Sequence, residues 1–403
     1  MRNHRLDLLQ PYPFQRLNQL LEPITPADQS FISLAMGEPK HPAAEFLKTA
    51  YANPDLITRG FATYPPTKGL PELREAIAEF LKKRFELESI DPETQTLPVT
   101  GTREGLFAIA QALIDPANPG LALMPNPFYQ IYEGAAILAG SEPYYMNCSA
   151  EQGFLPDLDQ LSPETLDKCE VMFLCTPGNP SGAVMPITQL QQAIGLAIKH
   201  NFVVVSDECY SEIYQDEENP PPGLLKAAAA MGNESFEHCI TFNSLSKRSN
   251  LPGLRSGYVA GHKDLIEQFL LYRTYHGSAM SVHNQLISVQ AWQDEQHVIE
   301  NRALYRDKYT SFHQAIAAEW PMEVPEASFY LWPEVPGAFE NDEVFTKRLI
   351  AETNIKVLPG SYLSRTNHQG INPGAGRVRM ALVATPEECL EGAHRIVEFI
   401  RNS

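Results

Sequence analysis

The feature that most restricts the fold is a set of short, largely apolar runs separated by amphipathic stretches through the middle of the chain. The runs are LPVT (Leu97–Thr100), LALMP (Leu121–Pro125), VMFLCTP (Val171–Pro177), FVVVSDE (Phe202–Glu208), CITFNS (Cys239–Ser244) and GYVAG (Gly257–Gly261). A strand with one face in water alternates apolar and polar residues, and these runs do not. They suit strands covered on both faces, the condition of a mostly parallel sheet flanked by helices. Between them lie PELREAIAEFLKKRF (Pro71–Phe85) and ITQLQQAIGLAIKH (Ile187–His200). In the first, Leu73, Ile77, Phe80 and Leu81 fall at helical spacing and make one apolar stripe. The pattern predicts an α/β domain over residues 51–281.

The pattern changes after 281. A helical region is predicted over about 282–320, followed by strand-like segments SFYLWPEV (Ser328–Val335), IKVLPG (Ile355–Gly360) and RVRMALV (Arg377–Val383). The last alternates charged and apolar side chains, as a half-exposed strand does. A final helix opens at Thr385-Pro-Glu-Glu388, with a hydroxyl to cap it, proline in the first turn and glutamate three residues on. Residues 282–403 therefore read as a smaller α+β domain. Residues 1–50, proline-rich at PYPF and EPITP, read as an N-terminal arm that also contributes to that domain. A chain of 403 residues is long enough for such a division.

Charge and cysteine usage narrow the function. Lys plus Arg number 31 against 49 Asp plus Glu, a formal charge of −18, which repels nucleic acid and anionic membranes. No apolar run is long enough to span a bilayer, and the N-terminus lacks the apolar core of a secretory leader. The 6 cysteines are scattered without a CxxC pair, so neither a metal site nor a disulfide framework is expected. A reduced, cytoplasmic protein is expected.

Phosphate-loop, zinc-protease and dinucleotide motifs are absent. Ser244-Leu-Ser-Lys247 matches the S-x-x-K of serine acyl enzymes, but the S-D-N and K-T-G strings those enzymes need do not occur. Lys247 also suits an amine that condenses with an aldehyde cofactor, which requires it to be held and partly neutral. Such a cofactor, with a phosphate tail and a pyridine ring, needs anion-binding groups, a carboxylate for its ring nitrogen and donors for its ring oxygen. Ser244, Ser246 and Arg255 supply hydroxyls and a guanidinium fork. Thr100-Gly-Thr-Arg-Glu104 ends a strand and starts a helix, a second anion cradle, though many α/β turns look alike. Asp207 closes a very apolar run, where a carboxylate is poorly solvated unless a cation meets it; a plain strand-end aspartate is the ordinary alternative. Tyr210 follows three residues later. Asn179, in the turn CTPGNPSG, offers an amide, while such a composition also makes tight turns for their own sake.

Asn179 in PGNPSG, Asp207 and Tyr210 in SDECY, Lys247 in SLSK and Arg255 in LRSG resemble, in order and spacing, the class I/II aminotransferases. These are pyridoxal phosphate enzymes of fold type I, with a large mostly parallel domain, a small domain built from both chain ends, and dimeric active sites. The resemblance runs from Gly37-Glu-Pro39 to Arg379. It implies that Lys247 carries the cofactor, that Asp207 pairs with its ring nitrogen, and that Asn179 and Tyr210 bind its ring oxygen. It implies that Thr102 and Arg103, through backbone N–H groups, hold the phosphate with Ser244, Ser246 and Arg255. Tyr129 matches the aromatic that stacks on the ring. Tyr64 matches a tyrosine that reaches the phosphate in the other subunit of a homodimer. Arg379 matches the arginine that forks the substrate α-carboxylate, with Arg377 the fallback two residues away. Gly37 matches a glycine whose backbone approaches substrate.

PYPFQRL, GEPKHP, PTKGLPELR, NPFYQIYEGA and KRSNLPGLRSG are further similar to the bacterial succinyldiaminopimelate aminotransferases of the diaminopimelate–lysine pathway. That resemblance implies N-succinyl-LL-2,6-diaminopimelate and 2-oxoglutarate as substrates. Aspartate, N-acetylornithine or an aromatic amino acid remain alternative donors. A pyridoxal phosphate lyase and a cofactor-sensing binding protein remain alternative functions, since fold does not decide reaction.

Overall fold

The computed structural model describes residues 3–367 and 369–403. In chain order its strands are β1 (Ile32–Ser33), β2 (Thr96–Val99), β3 (Leu121–Asn126), β4 (Glu142–Asn147), β5 (Cys169–Cys175), β6 (Val203–Asp207), β7 (Cys239–Ser244), β8 (Gly257–Gly261), β9 (Tyr330–Leu331), β10 (Ile355–Lys356), β11 (Leu358–Pro359) and β12 (Val378–Ala381). All six apolar runs enter one seven-stranded sheet, ordered β2-β8-β7-β6-β5-β3-β4. β8 runs antiparallel to both β2 and β7, and the other pairings are parallel. The expected α/β architecture with a mostly parallel sheet is what the chain adopts.

Both faces of the sheet are covered, which explains the unbroken hydrophobicity of its strands. Leu123, Met172, Leu174 and Val204 enter one core with Leu73, Ile77 and Leu190 of the two predicted helices. Their strand neighbours Ala122, Met124, Val171, Phe173 and Val205 enter the core on the other face. The helices span Pro71–Phe85 and Ile187–His200, as read from the sequence. The edge strand β4 was not anticipated; its sequence EPYYMN is mixed and only partly buried.

The helical region expected over 282–320 is two helices, Val282–Gln293 and Gln296–Ile316. Asp294 separates them: its backbone is extended, and its carboxylate accepts from His297 N at 3.0 Å, which starts the second helix. Ile287, Ala291 and Trp292 of the first helix pack into the large core. Phe312 and Ile316 of the second pack into a separate core with Phe345, Val378, Met380 and Ile396.

That second core lies under the three-stranded sheet β11-β12-β9, which is antiparallel. Of the expected strand Ser328–Val335, only β9 and an isolated bridge from Glu334 to Arg377 form. Pro333 lies between them and has no N–H to give a ladder. β12 is buried throughout rather than half-exposed, because Arg379 faces an interior cleft and not solvent. The final helix, Pro386–Arg401, has both halves of the Thr385–Glu388 capping box. The N-terminal helix Pro13–Leu21 buries Leu17 and Leu21 against Trp332, Leu358 and Tyr362, and β1 pairs with β10. Among the described residues, no helix is long and apolar enough to cross a membrane.

Candidate active site

The carboxyl ends of parallel strands are where an open α/β sheet leaves a crevice. Asp207 is the last residue of β6, Asn179 follows β5, and Ser244 ends β7. Ser244 Oγ accepts from Ser246 N at 3.0 Å and so caps the short helix Leu245–Arg248, which carries Lys247. The crowded turn of small residues thus fixes where the lysine stem begins. Asp207, Asn179, Tyr210, Ser244, Ser246, Lys247, Arg255, Thr102, Arg103, Tyr129, Gly37 and Arg379 all line one cleft of about 540 Å³.

Two sequence-predicted residues are not in it. Tyr64 is 98% exposed on the surface of this chain. Arg377 is drawn away: its Nη1 donates to Trp332 O at 2.9 Å and its Nη2 pairs with Glu334. Arg379 takes the cleft wall instead. Its Nη1 donates to Asn179 Oδ1 and its Nη2 to Ala35 O, at 2.9 and 2.8 Å. Its buried Nε has no hydrogen-bond partner among the described residues. Each terminal nitrogen keeps a second N–H beyond these bonds, so the guanidinium on the cleft wall can still donate to a carboxylate.

Lys247 Nζ donates to Gly37 O at 2.6 Å. Desolvation first, and then the Arg379 and Arg255 charges, lower its pKa to about 8. Burial disfavours the ammonium, so a larger share of this amine is free for nucleophilic attack than in an ordinary lysine.

Asp207 is 5% exposed. Burial pushes its pKa up, while donors from Tyr132 and Cys209 pull it back. Tyr132 Oη donates to Oδ2 at 2.7 Å and Cys209 N to Oδ1 at 3.2 Å. Among the described residues no arginine hydrogen-bonds this carboxylate, so the site suits a cationic ring nitrogen brought by a ligand.

The opposite end of the cleft suits a phosphate. Gly101 precedes the helix Thr102–Leu113 with φ +78° and provides no side-chain cap. A Cβ on Gly101 would stand 2.1 Å from Arg255 Nη2, so only glycine lets the guanidinium lie against this turn. Arg255 itself holds φ +55°, with Nη1 donating to Pro252 O at 3.0 Å. Backbone N–H groups, two serine hydroxyls and one guanidinium make the donor set of a phosphate site. Arg103 directs its side chain elsewhere, Nε donating to Tyr129 Oη at 2.9 Å. The residues present therefore fit a phosphorylated pyridine aldehyde.

Sequence reasoning missed several neighbours. Tyr132, three residues after Tyr129 and in the first turn of the helix Ile131–Ala139, was the findable one; the hydroxyl of a buried tyrosine needs a partner, and Asp207 is it. Tyr330 lies with its hydroxyl 2.9 Å from that of Tyr210. Tyr12, Phe14 and Glu38 bring the N-terminal arm to the cleft.

Residues 29–396 match the family described as aminotransferase class I and II. The crystal structure of an aminotransferase from Neisseria meningitidis superposes with a TM-score of 0.93 at 44% identity, covering 98% of this chain and 99% of that one. The LL-diaminopimelate aminotransferase of Dehalococcoides mccartyi is 32% identical over 404 residues, 98% of each chain. A probable N-succinyldiaminopimelate aminotransferase from Thermus thermophilus gives a TM-score of 0.83 at 25% identity, over 96% of this chain and 99% of that one. With the family matched across nearly its whole length, this chain belongs to the class I and II aminotransferases, enzymes of fold type I whose cofactor is pyridoxal 5′-phosphate.

Proposed function

We propose that this aminotransferase acts on a diaminopimelate-type donor, N-succinyl-LL-2,6-diaminopimelate, with 2-oxoglutarate as acceptor. The observation that carries the reading is the shared cleft lined by both the Arg379 guanidinium and the softened amine of Lys247. Both substrates carry an α-amino acid or α-oxo acid end whose carboxylate suits Arg379 on the cleft wall. The similarity to relatives named for diaminopimelate and its succinyl derivative supports the substrate class.

In this reading Lys247 would hold the cofactor aldehyde, and its amine is placed to take the proton from the donor's α-carbon. Bound pyridoxal phosphate supplies the electron sink that makes that proton removable. Asp207 pairs with the ring nitrogen, and Asn179 and Tyr210 hold the ring oxygen. Thr102 and Arg103 N–H groups, Ser244, Ser246 and Arg255 hold the phosphate, and Tyr129 stacks on the ring. Arg379, not Arg377, takes the α-carboxylate, beside the Gly37 backbone.

The assembly is a homodimer. Phe61, Tyr51, Ile57 and Phe46 leave an exposed apolar surface on the helices Glu45–Tyr51 and Pro54–Ala62, next to Tyr64. A second copy covering that surface supports Tyr64 acting in the neighbouring site. The acidic surface and six free cysteines support a cytoplasmic location.

Free LL-diaminopimelate is a second reading, favoured by the 32%-identical relative of that name. A donor panel with 2-oxoglutarate tests both, using the two diaminopimelates, aspartate, N-acetylornithine and an aromatic amino acid. The highest kcat/KM on the succinylated donor supports the proposal. The highest value on the free acid supports the second reading, and turnover without any acceptor indicates a lyase.

A further inference from the structure

Tyr330 touches more of the cleft machinery than its absence from the sequence motifs suggests. It sits on β9 in register with Ala381, so it neighbours Arg379 on β12. Its ring lies beneath the Arg379 guanidinium, with Cζ 4.4 Å from the ring centroid. Its hydroxyl is 2.9 Å from Tyr210 Oη. The same hydroxyl abuts Gly37, where a Cβ would stand 2.0 Å from it. Gly37 in turn accepts from Lys247 through its carbonyl. Tyr330 is buried at 2% exposure, so its own contacts are little screened by bulk water.

We infer that Tyr330 is a positioning residue with two separable parts: its ring orients Arg379 for the substrate carboxylate, and its hydroxyl orients the proton of Tyr210. This rests on the roles proposed above for Arg379 and Tyr210. A phenol hydroxyl has one proton. If Tyr210 is to donate that proton to the cofactor's ring oxygen, its own oxygen must be the acceptor in the tyrosine pair. Tyr330 is then the donor, and a donor chain of this kind strengthens the terminal hydrogen bond. The ring contributes differently. An arginine face held on an aromatic face is fixed in plane and angle, at little cost in water because the site is desolvated.

Two variants separate the parts. Tyr330→Phe keeps the ring and removes the hydroxyl. The absorption titration of the cofactor-loaded enzyme is then expected to move up by about half a unit to one unit, because the ring oxygen loses part of its support. The KM for the amino donor is expected to stay within about twofold, because the ring remains. Tyr330→Leu removes both, and KM is expected to rise by roughly tenfold as well. An unmoved or lowered titration midpoint in Tyr330→Phe overturns the hydroxyl's role; a lowered midpoint means that Tyr210 donates to Tyr330. An unchanged KM in Tyr330→Leu overturns the ring's role. Borohydride labelling of Lys247 in both variants keeps the outcome distinct from failure of the underlying assignment.

Discussion

The phenol of Tyr132 donates a hydrogen bond to the carboxylate of Asp207 at 2.7 Å, with the tyrosine fully buried and the aspartate 5% exposed at the cleft. The bond pulls down a pKa that burial raises. Tyr132→Phe is therefore expected to raise it further and leave less anion to meet the cofactor's ring nitrogen. A hydrogen bond to a charged group contributes about 1.5–3 kcal/mol, so cofactor affinity is expected to fall by roughly 10- to 100-fold. Fluorescence titration of the apo protein with pyridoxal phosphate measures it.

Gly101 allows no side chain. Alanine there would meet Arg255 at 2.1 Å and would hold a left-handed φ of +78°. Gly101→Ala is expected to cost about 1–2 kcal/mol in backbone strain and to displace Arg255 from the phosphate end of the cleft. The measurement is paired: the melting temperature of the apo protein, and the dissociation constant for pyridoxal phosphate. Both are expected to worsen, the second more than Arg255→Lys alone would cause.

Burial holds Lys247 and Lys308 near pKa about 8, against 10.5 for a free side chain. Between those values the unfolded chain binds more protons than the folded one, so stability rises with pH from about 8 to 10.5. Below about 8 the cost of holding the charged amines is present in full. Urea denaturation of the apo protein across that window is expected to show this rise, and Lys308→Met, at a position with 0% exposure, is expected to flatten it. The rate at which apo protein recombines with pyridoxal phosphate is expected to climb through a midpoint near 8, not near 10.5, since the neutral amine is the nucleophile.

Tyr64 is proposed to serve the neighbouring subunit. Mixing Tyr64→Ala with Lys247→Ala protein and allowing subunits to exchange gives hybrids with one intact site and one doubly altered site. Recovery of about a quarter of wild-type activity is expected from statistical exchange in a two-fold dimer. No recovery above the two parents would contradict a role for Tyr64 in the neighbouring subunit's site, and full activity of Tyr64→Ala alone would place it outside the active site.

Legibility in the sequence followed the physics of each segment. Helices Pro71–Phe85 and Ile187–His200 were readable because proline opens or precedes them and one face is apolar. The inner strands were readable because burial on both faces leaves no polar alternation. β4 was not, since an edge strand keeps tyrosine and asparagine on its open side. The pair Arg377 and Arg379 could not be resolved by period alone; Glu334 draws one out, and Asn179 draws the other in. Tyr330 was invisible because its importance lies in contacts with residues far away in the sequence, Tyr210 and Gly37.

The central claim is that the nitrogen of Lys247 is the one that bonds the cofactor aldehyde. Borohydride reduction of the yellow, cofactor-loaded protein followed by peptide mass spectrometry tests it most directly. The account predicts one stable phosphopyridoxyl adduct, on Lys247, and none in Lys247→Ala. An adduct on a different lysine, or a loaded protein that reduction leaves unlabelled, would contradict it.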